Sequence, residues 1–470
     1  MARLVWFRND LRLADNPALH AAVESGEDVL LLYILDERAG AANRWWLHHS
    51  LTALAADIAA RGGQLTLRRG KPVEIIAGLV KEHGMTAVHA ARAYEPFWRE
   101  ADRALDAALK KLDCGLHRHL SASLFAPERI TTKAGGLFGV FTPFSKACLE
   151  AGVPEEALPV PKALNCVKAS SEKLKDWNLL PSKPDWAGGM RAEWTPGEAG
   201  AQKRLQVFLA GPVQDYATAR DIPGRAGTSK LSPHAHFGEI SPRHVWHQAK
   251  AAGSGKGVQT FLKELLWREF SINLLWQHPE IRFAPIRKEF ADFPWDERDG
   301  HLTAWQQGRT GIPIVDAGMR ELWQTGWMHN RVRMICASYL VKHLLVPWQK
   351  GEAWFWDCLC EADEAANGAS WQWVAGCGAD AAPYFRIFNP VLQGLKFDPD
   401  GAYVRRFVPE LQKLPDALIH TPWESDAVLL ARCGVKLGGN YPRPLVLPAD
   451  GRQAALAAYA KMTGASADSF

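Results

Sequence analysis

The chain has 470 residues, too many for one core and suited to two domains, and its 47% hydrophobic and 23% charged content is that of a soluble globular protein. The longest apolar run, Val29 to Leu35, has a strand's length and no signal peptide precedes Leu4, which excludes a membrane span and predicts a cytoplasmic protein. A net charge of +4 is too small for a global field to attract nucleic acid, so any such affinity has to come from a local patch.

In chain order, the first part reads as α/β. Strand-like runs at Arg3–Phe7, Val29–Ile34, Leu65–Leu67, Ala87–Ala90 and Gly115–His119 alternate with helical patterns, some opened by Pro17 or Pro72 at a first-turn position. This alternation predicts a parallel, doubly wound sheet with helices on both faces, over residues 1–128. No Gly-x-Gly-x-x-Gly follows the first strand, which argues against a dinucleotide in this half.

Periodicity fails between about Phe125 and Trp194, and prolines 154, 159, 161, 181, 184 and 196 punctuate the stretch from Pro154 to Pro196. Residues 129–195 are therefore predicted to be a surface connector, with a helix at Phe141–Glu150. Residues 196–470 form a large all-α domain, with helical windows at Glu198–Leu209, Ser241–Ala252, Val258–Gln277, Ile312–Gln324, Arg331–Leu344 and Trp354–Leu359. The eight cysteines are scattered, and the one close pair, Cys358 and Cys360, lacks zinc spacing; reduced thiols and no metal site are expected.

The chemistry concentrates in the helical part. Of the 20 tryptophans, eleven (267, 276, 295, 305, 323, 327, 348, 354, 356, 371 and 373) fall between Glu264 and Trp373. A buried indole wants a partner for its N–H, so such density points to flat ligands, stacked bases or a relay for single electrons rather than to ordinary packing. Gly227-Thr228-Ser229-Lys230-Leu231-Ser232-Pro233 offers hydroxyls and free backbone N–H groups after a glycine, suiting a phosphate or an ordinary capped turn. Glu264, Trp267 and Arg268 lie on one helical face, lining a polar cavity or forming a Glu264–Arg268 pair. Asn330, Arg331 and Met334 share another face, with Arg333 pointing elsewhere. Arg386 stands among aromatics, as an unpaired strand with stackable bases would favour. Trp371 and Trp373 diverge by roughly half a turn on a helix, so one can face a cofactor and the other a cleft.

These residues resemble the DNA photolyase and cryptochrome family. The likeness runs from Val5-Trp6-Phe7-Arg8-Asn9-Asp10-Leu11-Arg12 to Tyr441-Pro442, and its most specific strings are Trp267-Arg268-Glu269-Phe270, Thr310 to Ala317, Gly326 to Arg331 and Trp371-Gln372-Trp373. The resemblance implies an α/β antenna domain and a helical domain that buries FAD. By motif position Tyr216, Thr228, Ser229, Lys230, Leu231 and Ser232 would hold the phosphates and ribityl chain, and Arg268, Trp327, Arg333, Glu361 and Asp363 would surround the rest. Glu361 stands where many relatives carry Asp. Asn367 matches the position beside flavin N5, where an amide can donate and accept without supplying a proton. Plant cryptochromes typically carry Asp there, so Asn367 argues for repair over signalling.

Glu264, Trp267, Asn330, Arg331, Met334, Trp373 and Arg386 match the cleft for a flipped-out cyclobutane pyrimidine dimer, a lesion that stacks and pairs badly and so flips at low cost. Trp267 and Trp373 would stack on the pyrimidines, and Glu264 would meet their edges. Arg220, Arg331 and Arg386, with Arg405 or Arg406, would contact phosphates of UV-damaged DNA. Trp371, Trp348 and Trp295 match the relay that reduces the flavin, and Trp354, Trp356 and Tyr384 offer a second route. His329-Asn330 lacks the paired histidines of (6-4) photolyases. The implied activity is a deoxyribodipyrimidine photolyase, a monomer driven by electron transfer from excited reduced FAD; the alternative is a cryptochrome-type blue-light receptor, against which the lack of a long tail after Tyr459 also weighs. Phe97-Trp98 stands where folate-binding relatives carry Asn-Glu, yet residues 318–323 and 398–401 look like the class III group close to plant cryptochromes. The expected antenna is 5,10-methenyltetrahydrofolate, with 8-hydroxy-5-deazaflavin as the alternative.

Overall fold

The computed structural model describes residues 2–152, 157–296, 298–384 and 386–464, so Pro154 and Phe385 lie outside the described residues. Five strands, β1 (Ala2–Phe7), β2 (Asp28–Ile34), β3 (Leu65–Arg68), β4 (Met85–Ala91) and β5 (Gly115–His119), alternate with helices α1 (Pro17–Glu24), α2 (Ala41–Ala59), α3 (Pro72–His83) and α4 (Pro96–Lys110). All strands pair in parallel in the order β3-β2-β1-β4-β5, with Leu4 opposite Leu30 on one side and Val88 on the other. The inner strands are nearly continuous apolar runs because both faces are covered. Leu4, Trp6, Leu30, Leu32, Val88 and Leu105 form the centre of that core. Prolines 17, 72 and 96 open their helices at the first turn, and Asn16 Oδ1 accepts from Leu19 N at 3.1 Å to cap α1.

The expected connector carries α5 (Phe141–Glu150) and α6 (Gly188–Glu193), and it pairs locally with the sheet: Val29 N donates to Asn165 O and Val167 N to Val29 O, at 2.8 and 3.0 Å. β3 reaches β2 only from Leu31 onward, so this end of β2 has backbone groups to share. Helices then follow: α7 (Glu198–Leu209), α8 (Tyr216–Ala219), α9 (Ser232–His236), α10 (Pro242–Ala251), α11 (Lys256–Gln277), α12 (His301–Gln306), α13 (Pro313–Thr325), α14 (Asn330–Ser338), α15 (Trp348–Cys358), α16 (Glu364–Ala375), α17 (Pro390–Phe397), α18 (Ala402–Phe407), α19 (Ala427–Arg432) and α20 (Pro448–Thr463).

Two helical expectations change. The window at 331–344 is not one α-helix: α14 ends at Ser338 and a π-helical turn, Tyr339–His343, follows. That turn carries the buried Lys342, whose Nζ donates to the carbonyls of Tyr384 and Arg386 at 3.0 and 3.2 Å. The helix expected at 354–359 begins at Trp348, six residues earlier, because Glu352 occupies the buried stripe with Trp348, Gly351 and Phe355 and hides its apolar period.

The chain divides into two compact units. The first comprises Met1–Gln214, Ser229–Pro279 and Cys360–Asp363; the second comprises Asp215–Thr228, Glu280–Leu359 and Glu364–Phe470. No helix among the described residues is long and apolar enough to cross a membrane.

Candidate functional site

The expected site residues fall in both units. In the first, α11 carries Glu264, Trp267 and Arg268 on one face, all partly buried. Arg268 donates to Ala122 O at 2.5 Å and Ala235 O at 3.4 Å, so its charge is anchored by backbone carbonyls. Its neighbour Glu269 is buried and accepts from Phe125 N at 3.2 Å; burial pushes its carboxyl up to about 7, against the opposing pull of Arg268 and the Leu124 and Phe125 N–H groups. Ser229, Leu231 and Ser232 lead into α9, where Ser232 Oγ donates to Glu361 Oε1 at 3.2 Å. His236 lies 3.8 Å from Asp363 Oδ2. Lys230 has a left-handed backbone (φ 49°), and its Nζ meets Glu193 Oε1 at 2.7 Å, a pairing that the loop's sequence does not suggest.

In the second unit Gly227 approaches Ala219 so closely that a Cβ would stand 2.5 Å from its carbonyl oxygen, so only glycine lets the loop bearing Thr228 pack there. Tyr216 is buried beneath Arg220, whose guanidinium is 5.5 Å from the ring. On α14, Asn330 is exposed, and Arg331 and Met334 share a face, with Nη1 3.9 Å from Sδ. Arg331 is already engaged: Nη2 donates to Asp221 at 2.7 Å, and its guanidinium lies 4.5 Å from Phe397. Arg333 turns away, donating to Met328 O at 2.6 Å and lying 5.9 Å from the Trp327 ring. Arg386 is exposed, whereas Arg405 is spent internally on Gln412 O, Leu414 O, Asp416 and Asp400 O; Arg406 carries the exposed charge of that pair.

α16 carries Asn367, Trp371 and Trp373. Asn367 Nδ2 donates to Glu352 Oε1 at 2.8 Å and to Glu352 O at 3.2 Å, so the amide that could have donated or accepted retains only Oδ1, an acceptor, for a ligand. Glu352 is in turn held by Arg282 at 2.6 Å, which lies 3.5 Å over Trp356. Trp371 is buried and Trp373 partly exposed, as divergence along one helix requires. Between them Gln372 pins the segment 281–286, accepting from Ile286 N at 2.9 Å and donating to Ile281 O and Ala284 O at 2.7 and 2.8 Å. Gly351 leaves room for Trp371, whose ring would lie 2.2 Å from a Cβ there. Trp348 is buried and Trp295 partly buried, the latter 4.4 Å from Phe293; the rings touching Trp371 are Phe355 at 5.0 Å and Trp305 at 6.1 Å. Sequence reasoning did not single out Glu352 or Arg282. A buried acid fifteen positions before Asn367, on another helix, leaves no local signal. Gln372 stood within a quoted motif, but its role depends on a distant backbone.

The donor set suits FAD. Short hydroxyls and backbone N–H groups at 229–232 are of the kind that suits phosphate, and Asn367 Oδ1 has the chemistry to accept from an N–H. Comparison with known proteins agrees. Residues 3–162 match the family described as DNA photolyase, and 261–461 the FAD binding domain of DNA photolyase. The chain is 48% identical over 465 residues to the deoxyribodipyrimidine photo-lyase of Agrobacterium fabrum, covering 97% of each. It is 36% identical over 463 residues to cryptochrome-1 of Arabidopsis thaliana, covering 94% of this chain and 68% of that one. A bacterial class III photolyase from Agrobacterium tumefaciens superposes with a TM-score of 0.96 at 47% identity over 98% of both chains. An archaeal photolyase from Sulfolobus tokodaii, solved with two FAD molecules, gives 0.83 at 26% identity over 98% of this chain and 100% of that one. A five-stranded parallel domain followed by a helical FAD-binding domain, aligned along nearly the whole length of such relatives, makes this chain a member of the DNA photolyase and cryptochrome family.

Proposed function

We propose that the protein is a deoxyribodipyrimidine photo-lyase that repairs cyclobutane pyrimidine dimers in DNA under blue light. The observation that carries this over a photosensory role is the commitment of Asn367 Nδ2 to Glu352. What remains beside a flavin is an acceptor, which suits a reduced cofactor bearing N5–H but has no proton to deliver to N5, the transfer that signalling exploits. The 48% identity to a photo-lyase over 97% of both chains supports the same choice.

Bound FAD supplies the chemistry, a light-driven single electron that opens the cyclobutane ring and returns. The chain's own residues organise it. Thr228, Ser229, Ser232, Leu231 and Tyr216 hold phosphates and ribityl chain; Lys230 contributes backbone, since its ammonium is paired with Glu193. Arg268, Arg333, Trp327, Glu361 and Asp363 surround the remainder. Trp267 and Trp373 would stack on the flipped pyrimidines, Glu264 and Asn330 would meet their polar edges, and Met334 would contribute to the same cleft. Arg220, Arg331 and Arg386 contact phosphate. Trp371, Trp348 and Trp295 carry electrons inward during activation.

For the antenna we favour 5,10-methenyltetrahydrofolate. In doubly wound sheets a flat ligand enters the crevice where strand order reverses, here between β1 and β4. Arg8, directly after β1, is buried there: it lies 3.7 Å over Trp6, pairs with Asp102 of α4, and Trp6 meets Trp98 at 5.7 Å. That packing takes up part of the crevice a deazaflavin would enter, which supports the folate reading. The absorbance spectrum of chromophores released by acid decides the question. The protein acts as a monomer in the cytoplasm.

The functional test is direct. Flavin-reduced protein is mixed with dimer-containing oligothymidine and illuminated with blue light while thymine absorbance is followed. Recovery is expected; no recovery with flavin present would overturn the repair reading and favour the photoreceptor one.

A further inference from the structure

Trp267 has only one face to offer a ligand. Phe141, the first residue of α5, covers the other, with ring centroids 3.6 Å apart and planes 7° from parallel. Phe141 is itself buried and Trp267 only partly so, which leaves the face away from Phe141 as the one a ligand could use.

Phe141 is firmly held. Phe270, one turn further along α11, meets Phe141 at 5.8 Å, Phe144 at 5.3 Å and the edge of Trp267 at 5.8 Å. One and two turns beyond, Asn273 Nδ2 and Gln277 Nε2 both donate to the carbonyl of Phe138, at 2.8 and 2.9 Å. Positions 267, 270, 273 and 277 recur at helical spacing, so they form one stripe of α11, and residues 138–144 lie along it. The proline-punctuated segment between the sheet and the helices is thus more than a spacer: its helix α5 docks an aromatic ring behind Trp267.

We infer that Phe141 is a positioning residue for damage recognition, fixing the plane of Trp267 so that the opposite face receives a flipped pyrimidine. The inference rests on the proposed role of Trp267 in the lesion cleft. A lone indole on a helix surface samples several rotamers, and freezing it when a base arrives costs affinity. A ring already stacked on Phe141 has met that cost during folding, and a face sealed against water and against other bases can stack on one side only.

The test is the ratio of affinities for an oligonucleotide with one thymine dimer and its undamaged counterpart, measured on flavin-loaded protein at one salt concentration. Phe141→Ala is expected to lower the ratio about three- to tenfold, the scale of one aromatic pair, with little change for undamaged DNA. Phe141→Tyr should restore the ratio. Phe141→Ala combined with Trp267→Ala should be no worse than Trp267→Ala alone, because Phe141 acts through the indole. Phe141→Leu keeps apolar volume without a flat face, so it gives the same answer if the alanine variant does not fold. A ratio unchanged by Phe141→Ala or Phe141→Leu while Trp267→Ala lowers it overturns the inference, as do equal losses for both oligonucleotides or additive effects in the double variant. A ratio unchanged by Trp267→Ala overturns the role of Trp267 itself.

Discussion

Arg331 illustrates how a single side chain's partners set its effect. Its guanidinium is partly buried and paired with Asp221, so a phosphate has to share or displace that carboxylate. Asp221→Asn should therefore tighten binding to damaged and undamaged DNA alike. The slope of log affinity against log salt should steepen by about 0.7–0.9, one phosphate's worth of released counterion. An unchanged slope would place Arg331 off the nucleic-acid path. Glu269 makes a second residue-scale case. Its carboxyl titrates at about 7 when folded against an ordinary 4.5, because burial outweighs the pull of Arg268 and two backbone N–H groups. Between those values the folded state holds a proton that the unfolded chain releases. Its contribution to stability is thus fully present below pH 4.5 and lost as pH rises through 7. Glu269→Gln mimics the protonated form and should flatten this part of the melting temperature's dependence on pH between 5 and 8. Parallel curves for the two proteins would show that another group is responsible.

Among the elements, those with strong local signals emerged near the expected positions. The five strands differ from the expected runs by at most two residues at either end, since alternation of short strand-like runs with helical patterns, some of them proline-opened, needs no distant partner to be read. α7 and α5 match their windows for the same reason. The misread helices are those in which tertiary contacts break the apolar period. Glu352 lies in the buried stripe of α15 because Arg282 and Asn367 meet it, and Lys342 is buried in the π turn because two carbonyls await it. Burial pushes the Lys342 amine down to about 7, so much of it is neutral near physiological pH. Lys342→Met leaves the carbonyls of Tyr384 and Arg386 without this donor and loosens the segment that presents Arg386. About fivefold weaker binding to any DNA is expected, equivalent to about 1 kcal/mol, with the preference for damage unchanged. Binding titrations with both oligonucleotides check this, and full affinity in the variant would remove Lys342 from the DNA-contacting apparatus.

At the scale of the whole molecule, a net charge of +4 on 470 residues cannot attract DNA from a distance, so the proposed DNA binding has to rest on local cations such as Arg220, Arg331, Arg386 and Arg406. Affinity should fall steeply between 50 and 200 mM salt, with a slope set by those few contacts; a salt-independent constant would mean that DNA is not held through its backbone. The sequence alone determined the fold class and the family, and it nominated the groups proposed to meet flavin and lesion, because periodicity, proline punctuation and ordered motifs are local properties of the chain. Only the tertiary structure decided what each group is free to do. It gave Asn367 a single acceptor, paired Lys230 with Glu193 and Arg331 with Asp221, spent Arg405 on backbone carbonyls, and set Phe141 behind Trp267. Hydrogen bonds, ion pairs and stacked rings saturate, and their partners here come from positions far apart in the chain, so no local pattern announces which donor or face has already been taken.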